Sequence, residues 1–169
     1  MRHILQGFTM YLDGVDFGAD TEEVDLPLPK PMTQEYRGGA MDMALALPMS
    51  AIEVLECTVK MSGLNPSIMG KMAQGPGVVN RLTFRGAVLR EQEGGISTHI
   101  CTIEGAVNAS SRDRWQRGEK VGTEFMVNGI RYMRYEVDSL VVHELQAFPP
   151  KRIVNGVDQL NDVNTALGY

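Results

Sequence analysis

The side chains able to do chemistry are few and scattered. His3, His99 and His143 form neither an HxxxH nor an HxH pair, and no cysteine or acid stands at ligand spacing beside any of them. They read as surface or half-buried strand histidines. Asp20, Glu22, Glu23 and Asp25 bring carboxylates close enough in sequence to suggest Ca²⁺. The cluster lacks the glycine and the closing glutamate of a calcium loop, so a solvated loop is the expectation. Ser50, Ser62 and Ser67 have no neighbouring base, and GxSxG, GxGxxG and GxxxxGK[ST] signatures are absent. Cys57 and Cys101 form no CxxC pair and are expected to pack as small apolar residues. The expectation is therefore no catalytic residue, no cofactor and no metal.

Residues 110–120 (SSRDRWQRGEK) interleave Arg112, Arg114, Arg117 and Lys120 with Trp115, the only tryptophan. Basic groups on phosphate with a stacking indole would suit single-stranded nucleic acid. The chain as a whole opposes this, because 16 Lys and Arg against 21 Asp and Glu leave a net charge of −5. A general nucleic-acid binder needs a basic surface to displace phosphate counterions. The segment instead reads as a turn between strands, with Trp115 anchoring it to the core or to a neighbouring molecule.

These residues must be positioned by a domain of ordinary size. The 169 residues are 43% apolar and 22% charged, which excludes disordered and fibrous classes. No apolar run approaches the roughly 20 residues of a membrane-crossing helix. Nothing before Phe8 resembles a signal-peptide core, so cytoplasmic synthesis and retention are expected. Aromatic residues at only 7% argue against an outer-membrane barrel, whose strands would also alternate.

Alternation dominates the local pattern. Phe8, Met10 and Leu12 share a face, and Asp13-Gly14 turns the chain into Val15–Asp16 and Phe17. Residues 53–61 alternate, with Leu55, Cys57, Val59 and Met61 on one side. Residues 80–90 form another strand, with Gly86 as a bulge, and residues 97–109 are rich in Thr, Ile and Val. Residues 123–137 would span about 50 Å as one strand at roughly 3.3 Å per residue. Asn128-Gly129 inside them is itself a hairpin signal, so one strand and two remain open alternatives. Asp138-Ser139 precedes a return strand over 140–145. Helices are expected at 66–72, entered at Asn65, and at 158–167, stopped by Gly168. No repeat or linker divides the chain, and residues 1–169 read as one mainly β domain. A Pro/Gly-rich stretch at 26–39 leads into Met-rich residues 40–49. An apolar excursion of that kind is better explained as a contact arm than as bare surface.

Residues 35–42 (EYRGGAMD), soon after LPLPKP, resemble the signature of the major tail tube proteins of contractile-tailed bacteriophages and of R-type pyocins. FTMYLDGVDF near the N-terminus, WQRGEK at 115–120 and IVNGVDQL at 153–160 match the same family in the same order. The resemblance implies packed antiparallel sheets with a short helix and a long protruding loop, six subunits closing a large β-barrel ring, and rings stacked into a hollow tube. By the same analogy, residues 123–137 form one continuous strand. Sheath, tape-measure, baseplate and tail terminator proteins would be partners, and DNA would pass through the lumen without specific binding. The subunit would be assembled in the bacterial host cytoplasm into a virion tail or tail-like particle, with no membrane anchoring.

Residues 31–49 are then expected to form the principal stacking arm. The expected contacts between subunits and rings are Tyr36, Arg37, Gly38, Gly39, Met41, Asp42, Met43, Trp115, Asn155, Gly156, Val157 and Asp158. Ring closure is expected through strand addition, around a lumen with an acidic wall. A small-ligand-binding β-barrel or an enzyme on a β scaffold is the alternative. It would require convergent polar residues in a pocket, and the sequence offers no such cluster.

Overall fold

The computed structural model describes residues 2–169. The strands are β1 (His3–Leu12), β2 (Val15–Asp16), β3 (Thr21–Asp25), β4 (Pro31–Tyr36), β5 (Leu45–Ile52) and β6 (Cys57–Ser62), followed by helix α1 (Pro66–Met69). Next come β7 (Asn80–Arg90), β8 (Ile96–Arg112), β9 (Gly122–Val137), β10 (Leu140–Gln146), β11 (Lys151–Val154), β12 (Val157–Asp158) and helix α2 (Asn161–Leu167). The mainly β, antiparallel fold expected from the sequence is the one observed.

Ten strands form one sheet in the order β12-β11-β10-β9-β8-β7-β1-β2, with β6 joined to β9 and β3 to β6. Met10 and Leu12 of β1, Leu82 and Phe84 of β7, and Cys57, Val59 and Met61 of β6 belong to one buried cluster with Phe125 and Val127 of β9. Strands far apart in sheet order share that core, so the sheet curls over on itself. The alternation of Cys57, Val59 and Met61 with more exposed neighbours is the period-2 pattern of a strand with one buried face.

Three two-residue turns carry positive φ at both positions: Asp13-Gly14 (48° and 87°), Asp138-Ser139 (49° and 69°) and Asn155-Gly156 (49° and 81°). That is the backbone twist a tight hairpin needs. Asn128-Gly129 is not a turn. Strand β9 runs through it unbroken, with only Gly129 at positive φ, 58°. The first half of β9 pairs with β6, from Cys57 opposite Val127 to Ser62 opposite Gly122. The second half pairs with β10, from Tyr132 to Val137. A local hairpin would have taken the edge that β6 occupies with buried side chains, and this distant partner decides the matter.

Along β8 the register slips at the same level, with Glu104 opposite Tyr132 but Ala106 opposite Asn128. Gly105 sits in the slip. A Cβ there would lie 2.9 Å from Val127 Cγ1 and 3.0 Å from the Asn128 carbonyl oxygen. The bulge bends β9 from one part of the sheet into the other.

Several local expectations are corrected. The bulge placed at Gly86 lies across the pair, in β1 between Leu5 and Gly7, while Gly86 keeps regular partners in Phe8 and His99. A Cβ at Gly86 would come 3.2 Å from Leu5 Cδ1, so that side chain would have to shift by a few tenths of an ångström to admit one. Residues 21–25, expected as a solvated loop, form β3 against β6, because Val24 packs on the core while the acids face outward. Strand β6 starts at Cys57 and not at 53. Helix α2 starts at Asn161 and not at 158, because Val157 and Asp158 pair with β11. Helix α1 is entered as expected: Asn65 Oδ1 accepts from the Ser67 N–H at 3.1 Å.

Candidate assembly surfaces

Strands β4 and β5 pair only with each other, forming a separate two-stranded ribbon. The protruding loop expected from the sequence is therefore a hairpin arm. Every residue of β4 and β5 except Ile52 is exposed, including Met32, Tyr36, Leu45, Leu47 and Met49. A lone two-stranded ribbon is at best marginal in water, and this one keeps both faces uncovered. The sequence showed no period here because neither face is buried.

The tip of the arm holds most of the expected contact residues. Arg37 Nε donates to the Met41 carbonyl at 3.3 Å, and the Met41 N–H donates to the Gly38 carbonyl at 2.9 Å. The Gly38 N–H points at Met41 Sδ at 3.3 Å. Met41 is thus partly turned inward and shapes the tip, whereas Met43 is 71% exposed. Asp42, Gly39 and Tyr36 are exposed beside it. Within the subunit neither glycine is needed for space: a Cβ on Gly38 would make ordinary contacts, and one on Gly39 would meet nothing within 4 Å.

The β8–β9 loop carries Trp115. Asp113 closes it, its Oδ2 accepting from the Gly122 N–H at 2.8 Å, and Lys120 pairs with Glu22 of β3. Trp115 itself is 71% exposed, so it does not anchor the loop to this subunit's own core. At the other end of the chain, Asn155 and Gly156 form the β11–β12 turn and Val157 is exposed. Asp158 has an internal task, since its Oδ1 accepts from the Leu160 N–H at 2.9 Å on the approach to α2. The structure thus distributes the expected contact residues over three hairpin ends and does not gather them into one site.

Among the described residues, strand edges are open in the main sheet as well, those of β1 and β3 among them. Strand β1 pairs with β7 along its length but with β2 only at Tyr11 and Leu12. Strand β3 pairs with β6 alone. Unpaired edges of this kind invite another chain. Sequence patterning marked both segments as strand or acid-rich, but only pairing reveals an edge. Exposed Phe148, Leu167 and Tyr169, around the β10–β11 turn and α2, were also missed.

The residues weighed for chemistry are dispersed. One His99 ring nitrogen lies 2.8 Å from the Tyr135 hydroxyl, and burial raises the Tyr135 pKa. Cys57 and Cys101 are both buried free thiols, pushed up to about 12, chiefly by desolvation. Among the described residues no group of three or more His, Cys, Asp or Glu side chains is placed to hold a metal ion.

Residues 2–168 match the family described as phage tail tube protein FII. Among solved structures, the chain resembles one from the cryo-EM structure of an extracellular contractile injection system, the PVC sheath-tube complex in its extended state. The two are 10% identical, with a TM-score of 0.47, over 73% of this chain and 86% of that one. No curated protein sequence matches it.

Proposed function

We infer how this chain assembles from the premise that it belongs to the phage tail tube protein FII family, and is therefore a structural subunit of a tail tube. Six copies, each a single domain, close into a ring and the rings stack into a hollow tube. The observation that carries the reading is the β4–β5 arm, whose exposed apolar residues find no cover within the subunit. The arm lies on a copy in the next ring, with Tyr36, Arg37, Gly38, Gly39, Asp42 and Met43 in the contact and Met41 holding the tip in shape. Trp115 and the turn at Asn155, Gly156 and Val157 supply further contacts, and Asp158 sets the approach to α2.

Ring closure uses the open edges of β1 and β3, where strand addition gives backbone hydrogen bonds that depend little on side-chain identity. The contact is heterologous and closes after a fixed rotation. A ring of six chains at −5 each carries about −30, which repels phosphate and lets DNA pass without being held. The tube serves a virion tail or tail-like particle put together in the host cytoplasm. Sheath lies outside it, a tape-measure protein in the lumen, and baseplate and terminator proteins at its ends.

Negative-stain electron microscopy of the concentrated chain, with a baseplate nucleator added if the chain alone stays monomeric, tests the reading. Sixfold rings or hollow tubes are expected. A closed dimer with no higher species under either condition would overturn it.

A further inference from the structure

We propose that Arg152 is a positioning residue for the β4–β5 arm, a latch that fixes the arm's direction relative to the body of the subunit. The arm is weakly held otherwise. Neither β4 nor β5 packs substantially against any other strand, and the backbone bond from the Glu53 N–H to the Lys30 carbonyl, 2.8 Å, only closes the hairpin's own base. Ile52 reaches the core and gives the arm a single pivot. A pivot alone leaves the direction free.

The second point of attachment is on β11. Arg152 Nη1 donates to the Ser50 carbonyl at 2.8 Å. Among the described residues, this is the hydrogen bond joining residues 31–52 to the body. The carbonyl is available because the ribbon is irregular there: Pro31 pairs with Ile52 but Thr33 pairs with Pro48, so Met49, Ser50 and Ala51 bulge opposite Met32. The bulge thus coincides with the attachment. Arg152 is itself well fixed, opposite Leu145 in the sheet and accepting at its own carbonyl from the Gln159 N–H at 2.7 Å. Its Nε is buried without a partner, so the base of the guanidinium is packed against the subunit while the side chain as a whole is half-buried. The side chain lines a cavity of about 380 Å³ between the arm's base, the β9 bend and Leu160. The same residue therefore ties the arm to the segment leading into α2.

That the latched arm faces the next ring rests on the reading of the arm as a stacking element; the latch itself does not. The test uses the full chain with Met43→Cys and Val157→Cys, spin-labelled at these exposed positions and diluted into excess unlabelled chain. Pulsed electron paramagnetic resonance reads the distance between them. Arg152→Met keeps an unbranched apolar stem in the cavity and removes the donors, so folding is retained. The parent should give one narrow distribution, Arg152→Met one at least twice as broad, and Arg152→Lys, with a single donor group, an intermediate width. An Arg152→Met distribution as narrow as the parent's would overturn the latch, whether or not the chain forms tubes.

Discussion

Single residues carry consequences that can be measured without any tube. With thiol pKa values pushed up to about 12, Cys57 and Cys101 hold roughly one thiolate in ten thousand at pH 8, and both are buried. A thiol reagent should therefore titrate no cysteine in the native chain and two in denaturant, and rapid native labelling would contradict their place in the core. Asp13 is the chain's clearest acid sensor. Burial raises its pKa, but the Lys71 ammonium at 2.8 Å and the Arg81 N–H at 3.0 Å outweigh this and leave it below 3.8. The folded state then binds its proton less readily than the unfolded state. Its stabilisation is present above the unfolded pKa and lost as pH falls through the lowered value. Asp13→Asn also suits the positive φ of the turn. Melting curves of the two proteins should differ by a constant amount above the ordinary carboxylate range and converge as pH falls through and below it. A difference that persists undiminished in acid would show that the ion pair is not its source.

Elements follow from partners as much as from pattern. Strand β7 was legible in its bounds, because one face of residues 80–90 is buried and the period survives in the sequence, although that period runs on through Gly86 without the expected bulge. The helix entry at Asn65 and the turns at Asp13-Gly14 and Asp138-Ser139 were equally plain, since their chemistry is local, although the helix stops at Met69 and not at 72. Asn128-Gly129 was not decidable locally, because β6 settles it from far upstream. Strand β3 was hidden by its acids, with Val24 alone reporting its inner face. Of the assembly surfaces, the arm was read from composition and resemblance. The Arg152–Ser50 bond spans 102 residues and leaves no local trace. The bend in β9 depends on the slip at Gly105, where a methyl group would meet both a side chain and the backbone. Gly105→Ala should cost about 1–3 kcal/mol, lowering Tm by roughly 2–4 °C per kcal/mol for a chain of this size. Differential scanning calorimetry checks this, and an unchanged Tm would mean the strands have room to part.

For the whole molecule, the proposed role of the arm separates folding from assembly. Met43 is exposed and makes no bond within the tip, whereas Met41 shapes it. Met43→Asp should leave circular dichroism and Tm close to the parent's while abolishing tubes in electron micrographs, because a carboxylate would have to be desolvated in an apolar contact. Normal tubes from this variant would remove the tip from the contact. The sheet order also sets a timetable. From β8 to β12 each strand pairs with the one made just before it, so a chain leaving the ribosome meets these partners in the order it needs them. Strand β1 is made first yet cannot settle until β7 exists, and the long stretch of chain between them, which holds β2 to β6 and α1, makes that closure slow. Until then a nascent subunit carries two vacant borders, β1 and the flank of β7 meant for it, and two unfinished copies can satisfy each other by exchange. The strand made first thus waits across the widest stretch of chain for its partner, and crowding of newly made chains is the hazard that wait creates.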